Sequence, residues 1–196
     1  MLLARGHKVA SLIRPGSERK LPAGCEAVTG DALNPSFAAA IHEGGTVIHL
    51  TGTPKPAPWK AARFRAVDLP SLRASAEAAS QAGAAHFVYV SVAHPAPVMR
   101  AYIEVRMECE RILAATGLPR TILRPWYVLG ENHWWPYLLV PAYKLGEAIP
   151  ATRESALRLG LVTLPQMLAA LVAAVENPPG GARVIDVPGI RAAAGG

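Results

Sequence analysis

Short apolar runs alternate with longer stretches of helical spacing along the whole chain, and this alternation sets the expected fold. Lys8–Ile13 (KVASLI) reads as a strand ended by Arg14-Pro15-Gly16, and Cys25–Thr29 (CEAVT) as a second closed by Gly30-Asp31. Asn34-Pro35 has the pattern of an N-cap followed by proline in the first turn, and predicts a short helix through Ile41. Thr46–Leu50 (TVIHL) is the next strand, followed by a proline-rich loop, Thr51–Pro58, and a helical region from Lys60 to Ala82 interrupted near Pro70. His86–Ser91 (HFVYVS) is the clearest strand. Tyr102–Thr116 is a helix stopped by Gly117. Thr121–Arg124 reads as a strand cut by Pro125, Leu164–Glu176 as a helix and Arg183–Val187 as a last strand.

Strands and helices in this rhythm argue for parallel β-α-β units. The continuous apolar character of Phe87–Val90 fits a sheet covered on both faces. Residues 1–190 therefore read as one α/β domain, with the part from about residue 126 forming a smaller lobe and 191–196 a frayed tail.

Composition narrows the function classes. A 196-residue chain with 51% hydrophobic residues and a mean hydropathy of +0.22 can build a sizeable core, which excludes a disordered protein. The net charge is +6, but its fifteen Arg and five Lys are scattered. A nucleic-acid surface would cluster them, so an RNA-binding module is disfavoured and a phosphorylated small ligand fits better. No apolar stretch approaches the ~20 residues needed to span a bilayer. Cys25 and Cys109 have no metal-ligand or disulfide pattern and read as reduced thiols of a cytoplasmic protein. The six histidines show no HxxxH or HxH spacing, so no metal site is expected. No G-x-S-x-G elbow supports serine-hydrolase chemistry.

Seven fragments, in order, carry a family resemblance: LLARGHKVASLIRPGS, GDALNP, VIHLTG, HFVYVSV, Tyr102-x-x-x-Arg106, ILRPWYVLG, and LVTLPQMLAALVAAVENP ahead of RVIDVPGIR. Together they resemble the short-chain dehydrogenase/reductase superfamily. More narrowly, they resemble its atypical NAD(P)H-binding branch, which has epimerase/dehydratase-like and quinone- or complex-I-associated members. The resemblance implies a Rossmann-like doubly wound parallel sheet with a small carboxyl-terminal substrate lobe. One departure dominates. The family opens with a strand, a Gly-rich turn and a helix whose end reads like LLARGH, and this chain starts at that helix end with no GxxGxxG or GxGxxG anywhere. A first β-α-β unit takes roughly 30 residues, yet only seven precede the Lys8 strand. The expectation is that Met1 is an internal start and that the Lys8 and Thr46 strands lack their common neighbour in the sheet.

The resemblance also assigns site residues. Arg14, after the second family strand, suits the 2′-phosphate of NADP(H) where an acid would favour NAD(H). Asp31 either reaches the adenine amino group or caps its own turn. Leu50, Thr51 and Gly52 end the strand whose backbone passes the cofactor, and Pro125 lies beside the nicotinamide. Ser91, Tyr102 and Arg106 form the candidate catalytic set: Tyr102 as proton donor or acceptor, Ser91 orienting a carbonyl. Arg106 stands where the family has lysine, and so excludes a lysine proton relay. Trp126, His133, Trp134 and Trp135 fall in the variable substrate region, with Tyr143 and Lys144 at its rim. They suit a small or apolar, quinone-like substrate, a protein partner, a membrane surface, or plain packing. Two functions follow: an oxidoreductase or epimerase, or a non-catalytic dinucleotide-binding redox sensor or respiratory-assembly protein.

Overall fold

Every strand that the hydrophobic pattern predicts is present, within a residue or two at each end. In the computed structural model, which describes residues 1–130, 141, 145 and 148–194, the strands are β1 (Val9–Ile13), β2 (Cys25–Thr29), β3 (Thr46–His49), β4 (His86–Val90), β5 (Arg120–Leu123), β6 (Tyr127–Leu129), β7 (Leu161–Thr163) and β8 (Ala182–Ile185). The longer helices are α1 (Leu69–Gln81), α2 (Arg100–Ala115), α3 (Pro150–Arg158), α4 (Leu164–Glu176) and α5 (Val187–Ala192).

β3, β4, β5 and β8 form one parallel sheet in that order, with Thr46 opposite His86, Phe87 opposite Arg120, and Arg120 opposite Ala182. Alternation along β4 divides the core into two layers. Phe87 and Tyr89 join Phe64, Leu72, Val105, Cys109 and Leu113 under α1 and α2. Val88 points the other way, toward Leu123, Val162, Met167, Val187 and Ile190 under α4 and α5. This is the Rossmann-like three-layer α/β arrangement expected from the sequence.

The helical region after Lys60 runs through Pro70. A π turn, Phe64–Asp68, directly precedes α1, and Pro70 falls in the first turn of that helix, where its missing N–H is tolerated. The π turn carries Phe64 and Asp68 as buried residues. Asn34 does cap its helix, accepting from Ser36 N–H, but the helix is a 3-10 segment, Pro35–Ala40. At the carboxyl end, Asp186 accepts from Gly189 N–H and starts α5, so the last strand stops at Ile185. The expected tail thus begins inside a helix that buries Ile190, and Arg191 Nε donates to Leu161 O at 2.9 Å.

The amino-terminal part is packed differently. β1 and β2 pair in parallel, Val9 opposite Cys25, as a separate two-stranded sheet. No residue before His49 is buried. As expected, β1 and β3 are not paired to each other.

Candidate functional site

The carboxyl ends of β1, β2 and β3 open onto a cleft of about 1120 Å³. Arg14, Lys20 and Arg63 bring three cations to it, and Gly30, Asp31, Thr51 and Gly52 line it. Arg14, Asp31, Thr51 and Gly52 were singled out from the sequence; Lys20 and Arg63 were not, because isolated exposed cations leave no periodic signal. Asp31 also holds its own turn, accepting from Leu33 N–H at 2.9 Å. Leu50 is 64% exposed and does not line the cleft.

Beneath Gly52 lies a buried polar network. Asp68, 1% exposed, accepts from Thr53 N–H (3.0 Å), from the Thr53 hydroxyl (2.6 Å) and from Arg106 Nη2 (2.8 Å). Arg106 Nη1 donates to the Tyr89 hydroxyl at 3.1 Å and to Val90 O at 3.2 Å. A Cβ on residue 52 would stand 2.8 Å from Asp68 Oδ1 and 2.5 Å from Arg106 Nη2, so glycine is required there by this ion pair.

Tyr102 and Arg106 meet on one face of α2, as their spacing predicts. The guanidinium lies 5.0 Å from the Tyr102 ring centre, and that ring packs on Phe64 at 5.0 Å. Burial pushes the Tyr102 phenol above its ordinary pKa, and Arg106 offsets this only in part. Burial opposes the Arg106 charge as well, but Tyr89, Tyr102 and Asp68 outweigh it and hold the guanidinium protonated.

Ser91 is turned toward another partner. It ends β4, 4% exposed, and its hydroxyl donates to Glu110 Oε1 at 2.6 Å. Glu110 also takes both arms of Arg124, with Nε at 3.0 Å, and lies 3.6 Å from His94 Nε2. Neither Asp68 nor Glu110 was picked out from the sequence. Glu110 follows Tyr102 and Arg106 at successive intervals of four, and that spacing was the available signal. A second cleft of about 460 Å³ opens beyond this carboxylate, lined by His94, Arg124, Glu154, Arg158 and Asp186.

Pro125 is buried, its carbonyl accepting from Ala93 N–H at 2.9 Å. Trp126 packs, half-buried, on the Val88–Leu123–Val162 layer. His133, Trp134, Trp135, Tyr143 and Lys144 lie outside the described residues. Among the described residues no cluster of three metal-ligating side chains occurs, and no helix is long and apolar enough to cross a membrane.

Three buried or part-buried histidines are depressed. Burial, then the Arg106 charge, lowers His49 to about 3 while it hydrogen-bonds Ser75 at 2.9 Å. Burial, then Arg183, lowers His86. Burial and Arg124 lower His94, against the opposing pull of Glu110. The unfolded chain binds these protons first, so folding stability is complete above pH ~6.5 and falls as pH drops below it. The His49 contribution reaches at most about 1.4 kcal/mol per pH unit. Urea unfolding at pH 7.5 and pH 5 should show this loss, and His49→Gln should reduce it. A flat profile would refute the assignment.

A family model described as NAD(P)H-binding matches residues 1–137. Among solved structures, MoeE5 in complex with UDP-glucuronic acid and NAD is 19% identical with a TM-score of 0.70, over 95% of this chain and 70% of that one. The Bordetella bronchiseptica enzyme WbmH in complex with NAD+ is 18% identical with a TM-score of 0.66, over 94% and 69%. UDP-glucuronic acid 4-epimerase from Bacillus cereus, in complex with NAD, is 17% identical with a TM-score of 0.65, over 94% and 71%. No curated protein matches in sequence. At these identities the structural likeness establishes the fold. The cleft residues could hold the adenosine half of a dinucleotide, with cations for a phosphate and a carboxylate for an amino group. For the diphosphate the chain has no Gly-rich turn.

Proposed function

The chain belongs to the NAD(P)H-binding family, and from that premise we propose that it binds NADP(H) in preference to NAD(H) and acts as an oxidoreductase or epimerase. The observation that carries this reading is the trio Arg14, Lys20 and Arg63 around Asp31 and Gly52 at the strand ends. An uncharged ribose with free hydroxyls would leave those cations unused, whereas a 2′-phosphate engages them with charge-assisted hydrogen bonds. The bound dinucleotide supplies the hydride acceptor or donor. Tyr102, kept neutral by burial, gives its phenol proton to the carbonyl oxygen as the carbonyl carbon is reduced. Arg106 fixes positive charge beneath it and, being always protonated, relays nothing. Because the Ser91 hydroxyl donates to Glu110, its oxygen is left to accept from a substrate hydroxyl.

The substrate is read as a small polar molecule presented from the side of His94 and Arg124. The Trp134–Trp135 run, on which the expectation of an apolar, quinone-like substrate rests, lies outside the described residues. Several neighbours are described with UDP-sugars, which favours a hydroxyl-rich ligand. Two free cysteines support a cytoplasmic location.

A second reading, a non-catalytic dinucleotide-binding protein, is favoured by one observation. Both terminal nitrogens of Arg106 are already engaged, by Asp68, Tyr89 and Val90 O, unlike a residue kept available for a ribose. Tyr102→Phe separates the two. It should lower NADPH-dependent turnover of a carbonyl substrate by about 100-fold or more while leaving NADPH affinity within about threefold. Unchanged turnover would refute the role of Tyr102. Absence of turnover across a carbonyl and nucleotide-sugar screen, with binding intact, would establish the second reading.

A further inference from the structure

Trp59 is the most exposed large apolar side chain among the described residues, with 83% of its surface open. The backbone that carries it is pinned on both sides. Before it, Thr53 is buried and bonded to Asp68 through its N–H and its hydroxyl, and Ala57 is buried. After it, the Lys60 ammonium reaches back to Pro54 O and Lys55 O at 2.8 Å each, and Lys60 N–H donates to Ala57 O at 2.9 Å. The indole therefore faces outward from a fixed turn, and forgoes the burial that a tryptophan ordinarily gains.

Its place in the chain ties it to the nucleotide cleft. The segment leaves the cleft at Pro54 and returns to it at Arg63 and Val67. From Pro58 to Asp68 the backbone is continuously helical, as a 3-10 turn (Pro58–Lys60), an α turn (Ala61–Arg63) and the π turn. Trp59, Arg63 and Val67 follow one another at intervals of four, which keeps them near one side of that run. Since Arg63 and Val67 line the cleft, Trp59 stands one turn farther along the same side, at the rim. The lining offers cations to a phosphate and Asp31 to an amino group, but none of its residues is aromatic. A flat face for a base is the element it lacks, and Trp59 is the aromatic ring placed to supply one.

We propose that Trp59 turns over the cleft mouth and stacks on the purine base of the bound nucleotide. The inference rests on the reading of this cleft as a dinucleotide site, and adds to it the residue that recognises the base as an aromatic ring. An indole has two side-chain torsions to fix, so it covers a base at small entropic cost. Arg63, one turn away, then meets the phosphate on the same side of the ligand.

Calorimetric titration of the protein with NADPH and with adenosine 2′,5′-bisphosphate tests this. Trp59→Ala is expected to weaken both ligands about 10-fold or more, the usual loss when an aromatic platform is taken from a stacked base. Trp59→Phe keeps a flat ring and should stay within about threefold of the unsubstituted protein. Neither substitution should move the urea unfolding midpoint, because the side chain is exposed. Adenosine 2′,5′-bisphosphate should also quench the tryptophan emission, and Trp59→Phe should lose most of that quench. Unaltered affinity of Trp59→Ala for both ligands would overturn the stacking role alone. No saturation of the unsubstituted protein by either ligand would overturn the cofactor reading and the stacking with it.

Discussion

Asp68→Ala is expected to lower folding stability by about 3–5 kcal/mol, the usual cost of leaving one member of a buried ion pair without its partner. The carboxylate takes three hydrogen bonds within 3.0 Å, from Thr53 N–H, the Thr53 hydroxyl and Arg106. Its loss strands a guanidinium that is 6% exposed. Denaturant unfolding measures the effect. Arg106→Met in the same background should recover much of the loss, because no unpaired buried charge then remains. A loss under about 1 kcal/mol would place the pair in the class of exposed, weakly coupled ions and contradict its burial. The same pair explains why residue 52 is glycine, so Gly52→Ala should also destabilise by forcing apart Asp68 and Arg106.

Arg14→Asp is expected to weaken NADPH binding about 10- to 100-fold, the value of one charged hydrogen bond removed and a repulsive charge introduced. NADH affinity should stay within about threefold or improve, since a carboxylate there accepts from the ribose hydroxyls. Fluorescence titration of both cofactors gives the ratio. Lys20→Ala and Arg63→Ala should each act in the same direction with a smaller effect, because two of the three cations remain. A variant that weakens both cofactors equally would move Arg14 from recognition of the 2′-phosphate to general attraction.

The sheet was legible in the sequence where burial is two-sided. β4 is apolar at Phe87, Val88, Tyr89 and Val90 and sits between both layers, so its pattern owes nothing to register. α4 was legible to the residue, because Thr163 and Gln166 cap it reciprocally and Pro165 occupies its first turn. β6 and β7 were not read: each is three residues long, and they pair across more than thirty positions of chain. α5 was missed for a different reason. The apolar pattern of the last strand runs on through Asp186 to Val187, although the Asp186 side chain starts the next helix. At the site, Tyr102 and Arg106 were legible from their spacing of four. Asp68 was not, since its partners Thr53 and Arg106 are remote in sequence and its burial follows from a π turn that local propensity does not signal.

The claim on which the functional account depends is that the cleft at the ends of β1, β2 and β3 holds a dinucleotide. Isothermal titration of the protein with NADPH and with NADH tests it directly. The expected result is saturation at one site per chain, tighter for NADPH. Absence of saturation with either cofactor at millimolar concentration, in a protein shown to be folded, would contradict it.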